Sequence, residues 1–313
     1  MQELVASRTA LGTSLMRALH TRADPLRIIE DPWGDRLVPA AAIEAVRQRA
    51  LAAMSAYARA TAEGASEPIV DAWLRANAAY AAVITRSRYT EDALHAAITR
   101  GVRQYVMIGA GFDSYALRRP AEEQHVEIFE VDHPATQSLK KRRLAECAIT
   151  VEGPLHFLAA DLAKEGLGTV LSRSSFRPDE PAFFSWLGVT MYLTRHANFA
   201  SLRAIAQCGA PGSELVFTYL DQAVLSGDSA PASDAFADLR RSVTSMGEPF
   251  LSGFDPTALK HDLRDVGFEL VEDLDDVQLV QRYDPLGANR LRPAKRSHIA
   301  RSRVAGAGAR GGA

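Results

Sequence analysis

The run QYVMIGAGFDS, from Gln104 to Ser114, constrains this chain more than any other stretch. A short apolar run reads as a buried strand, Gly109-Ala110-Gly111 as a sharp turn, and the residues after it as the start of a helix. Such a handover lets the backbone approach a ligand with no Cβ between them. The next apolar run, HVEIFEVDHP over 125–134, reaches Asp132, 21 residues after Gly111. A carboxylate there can accept hydrogen bonds from both ribose hydroxyls. Its plainer role would be a turn residue before His133-Pro134.

The stretches on either side fix the architecture. LHFLAADL (155–162), the start of PAFFSWLGVTMYLT (181–194) and SELVFTYLD (213–221) read as further strands. ATQSLKKRRLAE and residues 195–209 read as helices between them. This alternation predicts an α/β fold with a doubly wound, mostly parallel sheet. Residues 255–274 read as a helix with a Gly-Phe turn into a strand, and a last strand is expected near His298–Val304. Residues 1–100 carry no strand signal and read as a helical cap of the same domain. Its helical stretches are 8–21, 40–63 and 68–100, the last with a break expected near Arg88; residues 24–39 are broken by Pro25, Pro32 and Pro39. The core is expected over 101–304, with a lid insertion near 222–250. The tail 305–313 is expected to be disordered.

Composition excludes several classes. Lysine plus arginine total 36 and aspartate plus glutamate 38, a formal net charge of −2, which rules out a strongly basic nucleic-acid binder. No apolar stretch approaches the roughly 18 residues of a membrane span. The N-terminus lacks the pattern of a signal peptide, so a cytoplasmic protein is expected. Cys147 and Cys208 form no CxxC pair, and the eight histidines show no metal-ligand spacing, so no metal is expected.

Two ligands suit a glycine turn with Asp132 beyond it: a nicotinamide dinucleotide and S-adenosylmethionine. A dinucleotide places its pyrophosphate at the helix N-terminus, where Asp113 would repel it. Ser114 also stands where the third glycine of the dinucleotide fingerprint is expected. S-adenosylmethionine carries no phosphate, and its sulfonium is positive. Asp113 is tolerable beside it, and also serves simply as a first-turn acid favoured by the helix dipole.

At these residues the chain resembles a known family. RTALGTSLMRALH, IIEDPWGDRL, RSRYTEDAL, QYVMIGAGFDSYALR, IFEVDHP, AADL, FFSWLGVTMYL and GEPFLSGFDP, in that order, are similar to the leucine carboxyl methyltransferase-like family. The likeness is strongest to its bacterial branch of S-adenosylmethionine-dependent O-methyltransferases, and spans about residues 7–304. It implies a class I methyltransferase fold, Rossmann-like, with seven strands, an antiparallel last hairpin and a helical cap. It further implies that Arg86, with the nearby Arg88 as the alternative, pairs with the methionine carboxylate, which a guanidinium fork suits. Gly109, Ala110 and Gly111 match the glycine loop, Asp132 the ribose-binding acid, and Asp161 with Leu162 the pair beside the adenine. One position departs: Leu187 stands where many members carry a glutamate.

The implied reaction is methyl transfer, an in-line displacement in a dry site. A carboxylate acceptor is ionised at pH 7 and needs no base, whereas a hydroxyl needs one. No base motif is visible. Tyr192, just past the fourth strand, is the candidate catalytic residue, and Leu187, Thr190 and Tyr283 are candidate pocket residues. His133 reads as structural, and Trp33, Trp73, Tyr80 and Phe236 read as packing. The expected reaction is methylation of a carboxylate, or a hydroxyl, of a small-molecule acceptor, with no nucleic-acid or membrane partner; the sequence leaves the oligomeric state open. The alternatives are an NAD(P)-dependent Rossmann oxidoreductase and a non-catalytic S-adenosylmethionine-binding protein. The first lacks a Tyr-x-x-x-Lys pair; Leu187 is the feature favouring the second.

Overall fold

In a computed structural model, residues 7–53, 68–162, 164–226, 234–245 and 247–306 are described. Seven strands among them pair into one sheet: β1 (Gln104–Ile108), β2 (Glu127–Asp132), β3 (Leu155–Ala159), β4 (Ala182–Trp186), β5 (Glu214–Leu220), β6 (Phe268–Asp275) and β7 (Ser297–Val304). Their spatial order is β3-β2-β1-β4-β5-β7-β6. The first five run parallel, and β7 lies antiparallel between β5 and β6. Every residue of β1, β4 and β5 is buried, which is why these strands read as mostly apolar runs, broken only by Gln104, Ser185, Glu214 and Thr218. The chain winds outward from β1 through β2 to β3, then returns to place β4 on the other side of β1. The strand order therefore reverses between β1 and β4, and the crevice beyond their C-terminal ends is where an open α/β sheet binds ligands.

The cap consists of α1 (Arg8–Ala23), α2 (Gly34–Leu37), α3 (Ala40–Ala53), α4 (Ile69–Ala76) and α5 (Tyr80–Thr99). Residues 54–63 of the expected 40–63 helix, and 307–313 of the expected tail, lie outside the described residues. The break expected near Arg88 falls instead between Ala76 and Tyr80. There Asn77 leaves the helix, and its side-chain oxygen accepts the Ala79 N–H at 2.8 Å, a local bond that competes with the helical ladder. Arg88 lies inside α5 and pairs with Asp92 one turn on, at 2.8 Å. Leu15, Leu19, Ile28, Ile29, Leu74 and Ile84 form the cap's own core. Within it His20 is sealed. Its Nδ1 lies 2.6 Å from an Asp24 carboxylate oxygen, and its Nε2 accepts the Ile28 N–H at 2.8 Å. Asp24 also accepts from Arg75 and from the Tyr80 hydroxyl, so the pair ties three helices of the cap together.

The remaining helices are α6 (Tyr115–Arg118), α7 (Pro134–Glu146), α8 (Leu167–Leu171), α9 (Arg195–Cys208), α10 (Gln222–Ser226), α11 (Asp234–Ser245), α12 (Leu259–Asp265) and α13 (Asp276–Tyr283). The sequence reading missed α13. Its signal was present: Asp275 accepts the Gln278 N–H while the Gln278 side chain accepts the Asp275 N–H, a complete capping box.

Candidate functional site

The site begins where β1 ends. Gly109 and Gly111 have φ of +70° and +56°, backbone that side chains with a Cβ rarely adopt. Space is also short. A Cβ at Gly109 would come within 2.6 Å of Val189, and one at Gly111 within 3.1 Å of the Ala10 methyl. The turn is tied to β2 from two sides. The Gly109 N–H donates to the Val131 carbonyl at 2.9 Å, and the Gly111 N–H donates to the Asp132 carboxylate. The other Asp132 oxygen accepts the His133 N–H at 2.6 Å. Burial pushes the Asp132 carboxyl above its ordinary range, against these two bonds and the nearby Lys140. Each oxygen keeps acceptor capacity for a ligand hydroxyl.

A buried ion pair sits behind the turn. Lys140 of α7 is 2% exposed, and its ammonium donates to Glu130 and to the Asp113 carbonyl, both at 2.6 Å. It thereby clamps the far side of the glycine turn onto β2. The Asp113 carboxylate is occupied locally, accepting the Tyr115 N–H at 2.7 Å.

Helix α1 covers the turn. Arg17 donates to the Phe112 carbonyl at 2.6 Å and to the buried carboxylate of Asp31 at 2.8 Å. Asp31 also accepts the Trp33 N–H at 3.1 Å, so the motif run around EDPWGD fixes a charge that holds α1 over the site. Beneath this cover lies a cavity of about 280 Å³, lined by residues from Ser7 to Arg17, by the turn and by Asp132.

Arg86 of α5 lines the same cavity. Its guanidinium rests against Gly188, where a Cβ would lie 3.0 Å from both terminal nitrogens. Among the described residues no carboxylate pairs with it. Burial and the neighbouring Arg17 charge lower it to about 10, against the pull of Tyr192 and Asp113, so it stays cationic at neutral pH. A buried cation without a carboxylate fits an anionic ligand group.

A second, apolar cavity of about 100 Å³ adjoins the first, and Thr9, Thr13, Arg86, Gly188 and Tyr192 line both. Its walls include Ala82, Met191 and Leu279, with Phe236, Leu239 and Val243 of α11 against them. At the junction Thr9 donates its hydroxyl to Glu248. Tyr192 packs its ring on Phe250 at 5.7 Å, and burial raises its phenol above the ordinary value.

The fold brings together Arg86, Gly109, Ala110, Gly111, Asp132, Leu187 and Tyr192 around the first cavity. Asp161 and Leu162 lie just past β3, whose Ala159 pairs with Asp132, but neither lines the cavity; Lys164 pairs with Asp161 at 2.7 Å. Thr190 is not a pocket residue: it is 1% exposed and its hydroxyl donates to the Thr218 carbonyl at 2.6 Å. Tyr283 is turned away too, donating to Asp92 at 2.9 Å. His133 caps α7 by accepting the Ala135 N–H. The sequence reading missed Arg17, Asp31, Lys140 and Glu248. Asp31 and Glu248 had a local signal, each as the acid before a proline, Pro32 and Pro249, in a motif run. Among the described residues no cluster is placed to hold a metal ion, and no helix is long and apolar enough to cross a membrane.

A sequence model described as "Leucine carboxyl methyltransferase" matches residues 10–206. The chain belongs to the leucine carboxyl methyltransferase family. This membership makes it an S-adenosylmethionine-dependent methyltransferase. The chain is 30% identical over 296 residues to the Bacillus subtilis (strain 168) protein named "Putative S-adenosyl-L-methionine-dependent methyltransferase YktD", covering 92% of this chain and 96% of that one. Among solved structures, this methyltransferase is similar to a "putative methyltransferase" from Thermobifida fusca. That likeness has 18% identity and a TM-score of 0.54, over 87% of this chain and 93% of the other. A DUF574 family protein from Streptomyces avermitilis matches with a TM-score of 0.53 and 15% identity, over 93% and 97% of the two chains. These structural likenesses show the class I methyltransferase fold.

Proposed function

We propose that the protein transfers the methyl group of S-adenosylmethionine to an oxygen of a small-molecule acceptor, with the cofactor in the larger cavity and the acceptor in the apolar one. The observation that carries this reading is the shared wall of Thr9, Thr13, Arg86, Gly188 and Tyr192, which sets two chemically different cavities side by side. When bound, the cofactor supplies an electrophilic methyl on a cationic sulfur. Arg86 would hold its carboxylate, Asp132 its ribose hydroxyls, and the glycine turn would let its chain pass along the backbone. The fit rests on the cavity-facing guanidinium that pairs with no described carboxylate, and on the glycine turn and Asp132 lining the same cavity.

The protein's own work is to orient and to exclude water. Helix α1 closes one side of the site and α11 the other, so the reacting groups meet in a largely dry space. Leu187 lines the cofactor cavity as an apolar wall. A nicotinamide oxidoreductase is disfavoured by the family and by Asp113 beside the turn. A purely cofactor-binding role leaves the adjoining apolar cavity without a purpose.

The test is incubation with S-adenosylmethionine and a panel of small carboxylic acids, phenols and amines, reading S-adenosylhomocysteine and the methylated product by mass spectrometry. Oxygen-methylated product supports the reading. Methyl found only on nitrogen, or no S-adenosylhomocysteine with any acceptor, rejects it.

A further inference from the structure

We propose that Glu248 is the counter-ion of the cofactor's sulfonium, and that it shifts the site's preference toward S-adenosylmethionine over S-adenosylhomocysteine. This rests on the cofactor placement proposed above. S-adenosylmethionine carries a carboxylate, an ammonium and a sulfonium, whereas the sulfur of S-adenosylhomocysteine is neutral. Among the described residues, the charged side chains that line the larger cavity are Arg17, Arg86, Asp113, Asp132 and Glu248. Arg17 is taken up by Asp31 and the Phe112 carbonyl. Arg86 suits the ligand carboxylate, and the ammonium shares one carbon with that carboxylate. Asp113 is the acid whose charge reaches Arg86, so it is the one near the ammonium. Asp132 belongs to the ribose. Glu248 remains for the sulfonium.

Its position agrees with that assignment. The transferable methyl must point into the acceptor cavity, which puts the sulfur at the wall shared by the two cavities. Thr9 belongs to that wall and donates its hydroxyl to Glu248 Oε2. No described group donates to Oε1. The rest of the wall, Thr13, Arg86, Gly188 and Tyr192, offers no carboxylate, and neither does Leu187 of the larger cavity. The backbone fixes Glu248 from its own side. Gly247, at φ +82°, donates to the Thr244 carbonyl, and the Glu248 N–H donates to the Val243 carbonyl, both at 3.0 Å. These two bonds are the glycine cap that ends α11, and Pro249 stops the helix there. Opposite charges a few ångströms apart attract strongly where water is scarce. The attraction holds the cofactor before transfer. It ends as the carbon–sulfur bond breaks and leaves its electron pair on sulfur. The contact thus favours bound substrate over bound product, and adds to affinity rather than to the rate of the chemical step.

The test is calorimetric binding of S-adenosylmethionine and of S-adenosylhomocysteine to wild type, Glu248→Gln, Glu248→Ala and Glu248→Asp. The two variants without the charge should bind S-adenosylmethionine about 10-fold or more weakly, and S-adenosylhomocysteine within about twofold of wild type. Unchanged S-adenosylhomocysteine binding reports that the cavity is intact. Glu248→Asp, which keeps the charge on a shorter stem, should lose less. A structural role alone would weaken both ligands together. Equal losses for the two ligands in Glu248→Gln and Glu248→Ala, or no loss for either, would overturn the counter-ion while leaving the cofactor placement standing. Wild type that binds neither ligand would overturn both.

Discussion

The Asp132 carboxylate accepts the Gly111 N–H, so the residue proposed to hold the ribose also closes the turn along which the cofactor is proposed to pass. Asp132→Ala should therefore cost more than one ligand contact. Cofactor binding should weaken by roughly 1.5–3 kcal/mol, the scale of hydrogen bonds to a charged group. Gly111→Val should abolish binding, because its φ of +56° is strained for valine and Ala10 lies against it. Calorimetry that finds unchanged affinity in both variants would remove this turn from the site.

Lys140 and Glu130 separate stability from binding. Lys140→Met leaves a buried carboxylate unpaired and should destabilise by about 3–5 kcal/mol in urea unfolding. Burial already raises the Glu130 carboxyl, despite the Lys140 charge beside it. The double variant with Glu130→Met should recover most of that stability, since apolar replacement of a buried pair is often neutral. Cofactor affinity should stay low in both, because the bond to the Asp113 carbonyl is gone. Full recovery of affinity in the double variant would show that Lys140 does not position the turn.

The Arg17–Asp31 pair predicts a pH signature. Burial alone would raise the Asp31 carboxyl, but the Arg17 and Arg118 charges and the hydrogen bonds to Arg17 and Ser114 outweigh it and leave it below its ordinary value. An acid with a lowered folded value adds stability that is complete above its unfolded value of about 3.9 and is lost as the pH falls below that. The urea midpoints of wild type and Asp31→Asn should differ clearly at pH 7 and converge toward pH 3. A constant difference would mean that Asp31 acts through packing alone.

Ala82 tests the assignment of the two cavities. Ala82→Leu adds side-chain volume to the wall of the apolar space. Acceptor turnover should fall at least tenfold, while cofactor affinity stays within about twofold. Equal losses of both would show that the cavities are not divided in this way.

The fold was legible because its signals are local. Each parallel strand is a short apolar run, and the glycine turn and Asp132 belong to neighbouring segments whose spacing the sequence displays. The site was legible only in part, because its other half is assembled across long separations. Arg17 reaches Phe112, and Thr9 reaches Glu248 from the far end of the chain. No periodicity records such pairings. Thr190 was misplaced for a related reason: its position after β4 suggested the crevice, yet its hydroxyl is satisfied by the neighbouring strand. The helix break was misjudged because Asn77 competes with the helical ladder through its side chain, a bond the sequence does not display.

Arg86 carries the central claim, that this cavity binds the methionine end of S-adenosylmethionine. The decisive measurement is calorimetric binding of S-adenosylmethionine and of its decarboxylated analogue to wild type and to Arg86→Ala. Loss of a charge-assisted bond should weaken S-adenosylmethionine by roughly 10-fold or more. The analogue, which has no carboxylate to lose, should bind both proteins alike. Equal losses for the two ligands, or none for either, would contradict the assignment.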